Sequence, residues 1–356
     1  MIKRRETRQI SIGGVKIGGG APISVQSMTN TKTSDIGATV GQIDALENAG
    51  CEIVRVAVLT RDDAEAVGEI IDKTKIPIIS DIHFNAGLAL ESVKQGVHGL
   101  RLNPGNIGSR RKVEAIVNAA AEKSIPIRIG VNAGSLEKEI MAKYGFPTAE
   151  GMVDSAVGHI RILEELGFSN IKVSLKASSV PMTVEAYRLM SERRDYPLHV
   201  GVTEAGTSFA GSIKSAVGIG ALLAEGIGDT IRVSLSTDPV EEVKVAYEIL
   251  KSLQLRSKGV NIISCPTCGR MQIDLIKLAE EVEDRLSHIM EPLNISVLGC
   301  VVNGIGEAKE ADFGIAGGKG EGLLFKRGKV IGKLNEKKLV DALVNEVEKS
   351  MMEKHE

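Results

Sequence analysis

Tryptophan is absent from this 356-residue chain, and aromatic residues of all kinds make up 3 % of it. Nucleic-acid surfaces rely on aromatic stacking and a basic excess. A formal net charge of −2 and so few rings argue against that class. No run of 18 apolar residues occurs, and the basic start Met1 to Arg8 is not followed by the apolar stretch of a secretory signal. The expectation is a soluble, cytoplasmic protein with no membrane partner. Cysteine is scarce as well: four in the chain are too few for a disulfide framework, which leaves thiols kept reduced for metal. Cys51 heads an apolar strand and reads as a plain buried thiol.

The other three cysteines form a constellation. Cys265-Pro266-Thr267-Cys268 is followed by Cys300, which opens a segment closing on Glu307. Three soft thiolates suit zinc or an iron-sulfur cluster, and the nearest fourth ligands are Glu307 and His288. Structural zinc sites usually close with a fourth Cys or His, whereas His288 sits in an amphipathic helical pattern. A 4Fe-4S cluster can leave its last iron to a carboxylate. Spacing alone leaves both readings open.

Ahead of this lies a repeated beat of an apolar run, a polar loop and a helical pattern. The runs are Ile23 to Met28, Ile53 to Val58, Ile76 to His83, Gly99 to Asn103, Ile125 to Asn132, Ile171 to Lys176, Leu198 to Thr203 and Thr230 to Ser236. Eight strands alternating with helices imply a parallel sheet and match the size of a closed (β/α)8 TIM barrel. An open doubly wound sheet would usually show a Gly-rich turn after its first strand, and Ser27 to Asn30 is not one. Residues 9 to 17 alternate around Gly13-Gly14 and predict a hairpin plugging one end. Ser135 to Gly167 is long and interrupted at Tyr144 to Pro147, which predicts two helices in the fifth loop. After Lys258 the beat changes to strands at Val260 to Ser264, Ile295 to Gly299 and three more, with helices at Met271 to Ser287 and from Glu336 onward. The division expected is a barrel domain, 1–258, and a smaller α+β domain, 259–356. Gly317 to Gly322 matches no full phosphate-loop motif and reads as a turn.

Strands buried on both faces should be almost wholly apolar. These carry Arg55, Asp81, His83, Arg101, Asn103, Arg128, Asn132, Lys172, Ser174, Lys176, Arg232 and Ser234. Within each strand the polar positions are two or four apart and so share a face. That face should be the barrel interior near its C-terminal rim, where such barrels place their chemistry. Six cations, Arg55, Arg101, Arg128, Lys172, Lys176 and Arg232, stand against Asp81, Glu204 and Glu52 as the available acids. Unpaired buried cations are costly, so an anionic ligand with two phosphate groups is the natural complement. Glu204, ending the seventh strand, is the candidate general acid or base, and His83 ranks above His199 because it shares a face with Asp81.

The strings Pro22-Ile-Ser-Val-Gln-Ser-Met-Thr-Asn30, Glu52-Ile-Val-Arg-Val-Ala57, Asp81-Ile-His-Phe84, Arg101-Leu-Asn-Pro-Gly105, Arg128-Ile-Gly-Val-Asn132, Val200 to Gly206 and Cys265-Pro-Thr-Cys-Gly-Arg270 span nearly the whole chain. Together they closely resemble the 4-hydroxy-3-methylbut-2-enyl diphosphate synthases of the non-mevalonate isoprenoid pathway, in their bacterial two-domain form. The resemblance implies a 4Fe-4S cluster on Cys265, Cys268, Cys300 and Glu307. It implies as substrate 2-C-methyl-D-erythritol 2,4-cyclodiphosphate, reductively opened with loss of water, and flavodoxin or a ferredoxin-type protein as electron donor. Arg55, His83, Arg101, Asn103, Arg128, Asn132, Lys172, Lys176, Arg232 and Ser234 become the expected substrate contacts. Glu204 is expected to supply a proton, and Glu307 to yield its iron to the substrate.

One consequence concerns assembly. The eighth helix returns the chain to the N-terminal face of the barrel, and a linker of five residues spans at most roughly 18 Å. A cluster domain that must meet the opposite rim is therefore expected to serve a second chain, in a two-fold homodimer. The rival reading is a zinc-stapled barrel acting as a lyase or synthase on a phosphorylated substrate. A zinc ribbon for nucleic acid is opposed by the acidic run Glu280 to Asp284, and an electron carrier with a vestigial barrel by the six cations.

Overall fold

The computed structural model describes residues 2–300 and 311–355. Two compact units divide the chain, Met1–Arg256 and Ser257–Glu356.

The first unit opens with the expected hairpin, β1 (Ile10–Ile12) and β2 (Val15–Ile17). Eight parallel strands follow in the ring order β8-β7-β6-β5-β4-β3-β10-β9. They are β3 (Ser24–Met28), β4 (Ile53–Ala57), β5 (Ile78–Asp81), β6 (Gly99–Arg101), β7 (Ile127–Asn132), β8 (Ile171–Lys176), β9 (His199–Val200) and β10 (Thr230–Ile231). A parallel bridge from Val173 to Leu198, with Val173 N–H donating to Pro197 C=O at 3.0 Å, joins β8 to β9 and completes the barrel. All eight runs predicted from sequence are strands. Their ladders stop short of the polar residues at several C-terminal ends, because the chain turns outward there to make the rim.

The outer ring consists of α1 (Ile36–Ala49), α2 (Arg61–Lys73), α3 (Ala86–Lys94), α4 (Arg110–Glu122), α6 (Ala149–Glu165), α7 (Val180–Arg193), α8 (Ser208–Ala224) and α9 (Pro239–Ser252). The short α5 (Lys138–Tyr144) precedes α6, so the fifth loop does hold two helices. Local chemistry sets the boundaries. Thr60 and Asp63 form a reciprocal capping box at the start of α2, and Asp238 with Pro239 starts α9. Outward-facing Val, Ile and Leu of the strands pack under the helices as one continuous core. At the N-terminal end Ile10, Ile12 and Ile17 of the hairpin pack on Ile53 and Ile79, which makes the hairpin the predicted plug.

The second unit is a five-stranded mixed sheet in the order β11-β12-β13-β14-β15. Its strands are β11 (Val260–Ser264), β12 (Leu293–Leu298), β13 (Phe313–Gly317), β14 (Glu321–Lys326) and β15 (Lys329–Asn335), the first three parallel and the last three antiparallel. α10 (Leu275–Leu286) and α11 (Leu339–His355) bury their apolar stripes on it. α10 begins four residues later than the predicted Met271, because Asp274 caps it and Gln272 N–H is spent on Gly299 C=O at 3.0 Å. The run Gly317 to Gly322 is the tight connection between β13 and β14, closed by Gly318 N–H on Glu321 C=O at 2.7 Å. No helix among the described residues is long and apolar enough to cross a membrane.

Candidate active site

Asp81, Arg101, Asn132 and Lys176 are the last residues of β5, β6, β7 and β8, so the parallel ladder delivers them to one end of the barrel. There a cavity of about 540 Å³, its open mouth included, is lined by Arg55, Asp81, His83, Arg101, Arg128, Asn132, Ser174, Lys176, Thr203, Arg232 and Ser234. Eight of the expected substrate contacts are thus brought together. Two are not at its surface. Asn103 clasps the peptide of Gly130, donating to its C=O at 3.1 Å and accepting from its N–H at 2.9 Å. Lys172, 1 % exposed, lies on the same strand face as Lys176 but deeper in the barrel. Glu204, one residue beyond Thr203, is exposed at the rim with φ +52°. Glu307 lies outside the described residues.

Two glycines let the cations cross the barrel. A Cβ on Gly130 would stand 2.6 Å from Arg101 Nε, and one on Gly201 would stand 2.6 Å from Lys176 Nζ. Arg101 therefore lies flat over β7, donating to Gly130 C=O at 2.8 Å and to Asp81 at 3.2 Å. It also donates to the His83 ring, which must present an unprotonated nitrogen to it. Arg55 reaches the other Asp81 oxygen at 3.4 Å. Arg128 is 3 % exposed, and its Nε and Nη1 have no partner among the described residues.

The electrostatics follow from this crowding. Burial would raise the Asp81 carboxyl, but Arg55, Arg101 and Arg128 outweigh it and hold it at about 2. Burial, then repulsion from other cations, drives Arg128, Lys172 and Lys176 well below their usual values. Burial and Arg101 lower His83, which keeps its imidazole neutral. His199 is wholly buried and donates to or accepts from Thr230 Oγ1 at 3.1 Å beneath the cavity.

Sequence reasoning missed two groups and placed a third at the wrong end. Glu242 of α9, 3 % exposed, takes Arg232 on both oxygens and also accepts from Ser27 Oγ and Leu235 N–H. The available signal was a carboxylate among the apolar positions of an amphipathic helix. His159 of α6 accepts Gly105 N–H at 3.1 Å and meets Glu137 at 2.5 Å, tying the loops that leave β6 and β7. Glu52, counted from sequence among the acids facing the cations, is instead at the opposite end. It accepts from Val25 N–H at 2.9 Å and from Arg256 at 2.6 Å, because it precedes β4.

In the second unit Cys265 follows β11 and Cys300 lies two residues past β12; these are neighbouring parallel strands, so both sit at one sheet end. Gly299 N–H donates to Cys265 Sγ at 3.2 Å. Hydrogen bonds from the backbone and side chain of Arg270 lower the Cys268 thiol and favour its thiolate. Among the described residues no three Cys, His, Asp or Glu side chains converge as a finished metal site. Amide donors aimed at two of the sulfurs nevertheless fit thiolates that hold metal.

A closed parallel barrel with a cation-lined cavity at the C-terminal strand ends, followed by a small cysteine-bearing domain, defines a TIM-barrel enzyme of two domains. The chain belongs to the GcpE family: the GcpE TIM-barrel domain matches residues 7–247 and the GcpE protein C-terminal domain residues 261–349. It is 64 % identical to a Geobacter sulfurreducens protein named 4-hydroxy-3-methylbut-2-en-1-yl diphosphate synthase (flavodoxin), over 99 % of this chain and 100 % of that one. A Symbiobacterium thermophilum protein of the same name is 60 % identical over 99 % and 95 % of the two chains. Among solved structures, dihydropteroate synthase from Stenotrophomonas maltophilia superposes with a TM-score of 0.50 at 14 % identity, over 70 % of this chain and 97 % of that one, a likeness of fold.

Proposed function

We propose that this chain converts 2-C-methyl-D-erythritol 2,4-cyclodiphosphate to (E)-4-hydroxy-3-methylbut-2-enyl diphosphate with electrons from flavodoxin. The observation that carries the reading is the cavity: five cations, Arg55, Arg101, Arg128, Lys176 and Arg232, line it against one lining carboxylate, Asp81, with Glu242 behind Arg232, in a chain of this family. A cyclic diphosphate supplies the missing negative charge. In the reaction a ring C–O bond opens, a hydroxyl leaves as water, and two electrons and two protons are consumed.

Arg55, Arg101, Arg128, Lys176 and Arg232 hold the diphosphate, with Asn132 and Ser234 as neutral donors and His83 at the mouth. Asn103 supports them through Gly130. Glu204 gives a proton at the rim; its left-handed backbone, which costs a non-glycine residue about 1 kcal/mol or more, is the kind of strain that functional sites retain. Cys265, Cys268, Cys300 and Glu307 hold a 4Fe-4S cluster, which supplies single electrons and a Lewis-acidic iron. The reduced thiols suit a cytoplasmic setting.

A reciprocal homodimer completes the reading. Arg256 bonds Ile23 C=O at 2.7 Å and Glu52 at 2.6 Å, so the barrel unit ends at the face where β3 and β4 begin. β11 starts at Val260, and four residues reach roughly 14 Å, less than the roughly 20 Å of a six-residue strand such as β7. On this reading the cysteine domain of one chain serves the cavity of its partner.

The test is protein purified without oxygen. Four irons and four sulfides per chain, with one iron distinct by Mössbauer spectroscopy, and turnover of the cyclic diphosphate by reduced flavodoxin are expected. One tight zinc without sulfide, and no turnover, would overturn the assignment.

A further inference from the structure

Lys172 is a buried amine with nothing to hold. Its Nζ has no hydrogen-bond partner among the described residues, and its side chain is 1 % exposed. In the strand register it stands beside Arg128, on the face of β8 that carries Ser174 and Lys176 two and four residues on. Ser174 and Lys176 line the cavity; Lys172 lies beneath its floor.

The charged and titratable groups facing it are Arg128 on β7, Arg55 on β4, His199 on β9 and Asp229 before β10. None is an available counter-charge. Asp229 already takes Arg4 at 3.1 Å, Thr7 at 3.0 Å and Leu198 N–H at 2.9 Å. Arg55 is committed to Asp81, while Arg128 has no acid of its own. A fixed ammonium here would be costly, and burial, then Arg128 and Arg55, push Lys172 toward the neutral amine. An anion in the cavity reverses the balance. A single negative charge about 6 Å away, at an effective dielectric near 20, raises an amine's proton affinity roughly a hundredfold.

We propose that Lys172 is a charge reserve for the cavity above it, protonated when a dianionic diphosphate binds and deprotonated when the ligand leaves. The proposal rests on the functional reading above, which supplies the dianion. Its consequence is that binding consumes a proton, so affinity falls as pH rises through the window between the free and bound proton affinities of Lys172.

The experiment is calorimetric titration of the holoenzyme with the cyclic diphosphate, without reductant, in two buffers of different ionisation enthalpy at pH 8. The ligand's oxygens are strongly acidic and contribute no proton. Wild type is expected to take up about one proton or more per ligand, and K172M about one fewer. The pH slope of Kd should flatten by up to tenfold per unit. Lys176 and His83 remain in the variant, so the difference isolates Lys172. K172R, permanently charged, should show the same loss of uptake with binding retained at high pH, and it carries the comparison if K172M does not fold. Binding with uptake unchanged in the variants overturns the role of Lys172 alone; no binding by wild type overturns the functional reading with it.

Discussion

Glu242 on α9 grips Arg232 with both carboxylate oxygens, at 3.1 Å from Nη2 and 3.2 Å from Nε. A helix of the outer ring thereby aims a cation of the cavity, since Arg232 Nη1 is left to meet Ser234 Oγ at 2.9 Å. Breaking a buried pair from one side leaves an uncompensated charge and costs about 3–5 kcal/mol. E242A should lose stability of that order in urea denaturation. Its KM for the cyclic diphosphate should rise at least tenfold.

Gly130 makes room for Arg101. G130A puts a methyl 2.6 Å from Arg101 Nε, so the guanidinium must leave its place over β7 and Asp81 loses a partner. A fall in kcat/KM of about a hundredfold or more is expected, corresponding to about 3 kcal/mol or more. G158A is the control, because nothing lies within 4 Å of a Cβ there and alanine favours a helix by up to about 1 kcal/mol. Steady-state kinetics and thermal melts of both variants distinguish the two cases.

Asp81 should be visible in the acid limb of stability. Its folded pKa of about 2 lies below the ordinary value, so its contribution is complete above the unfolded pKa near 4 and is lost as pH falls toward 2. That contribution is about 2 kcal/mol. D81N is less stable than wild type at pH 7, and the gap should narrow by that amount by pH 2. Denaturant titrations followed by circular dichroism at several pH values measure it.

The proposed reciprocal dimer makes a prediction about mixed chains. A C265A chain keeps an intact cavity and an R128A chain keeps intact cysteines. Mixed heterodimers should recover up to half the wild-type activity from one complete site. Verified heterodimers without activity would show that each chain serves itself.

Barrel order and most cavity residues were legible because parallel strands buried on both faces leave no other place for Arg101, Arg128 or Lys176. Depth was not legible. Lys172 and Lys176 share a strand face, and only the position of the ladder within the barrel puts one at the cavity and the other under it. Nor was the direction of Glu52, which touches strand residues in sequence but turns to the opposite end with Arg256. Glu242 and His159 were hidden for a different reason. Both sit on helices and act through tertiary contacts more than ten residues away or at the far side of a loop, which periodicity does not encode.

The hairpin under the barrel also governs traffic. With Ile10, Ile12 and Ile17 seated on Ile53 and Ile79, the charged interior has its base stoppered by hydrocarbon. Ligand arrives and departs by the same doorway at the rim. Product must then vacate before the next substrate can settle, so a linear diphosphate that lingers competes directly with the cyclic one, and clearance rather than bond breaking can set the pace of the cycle.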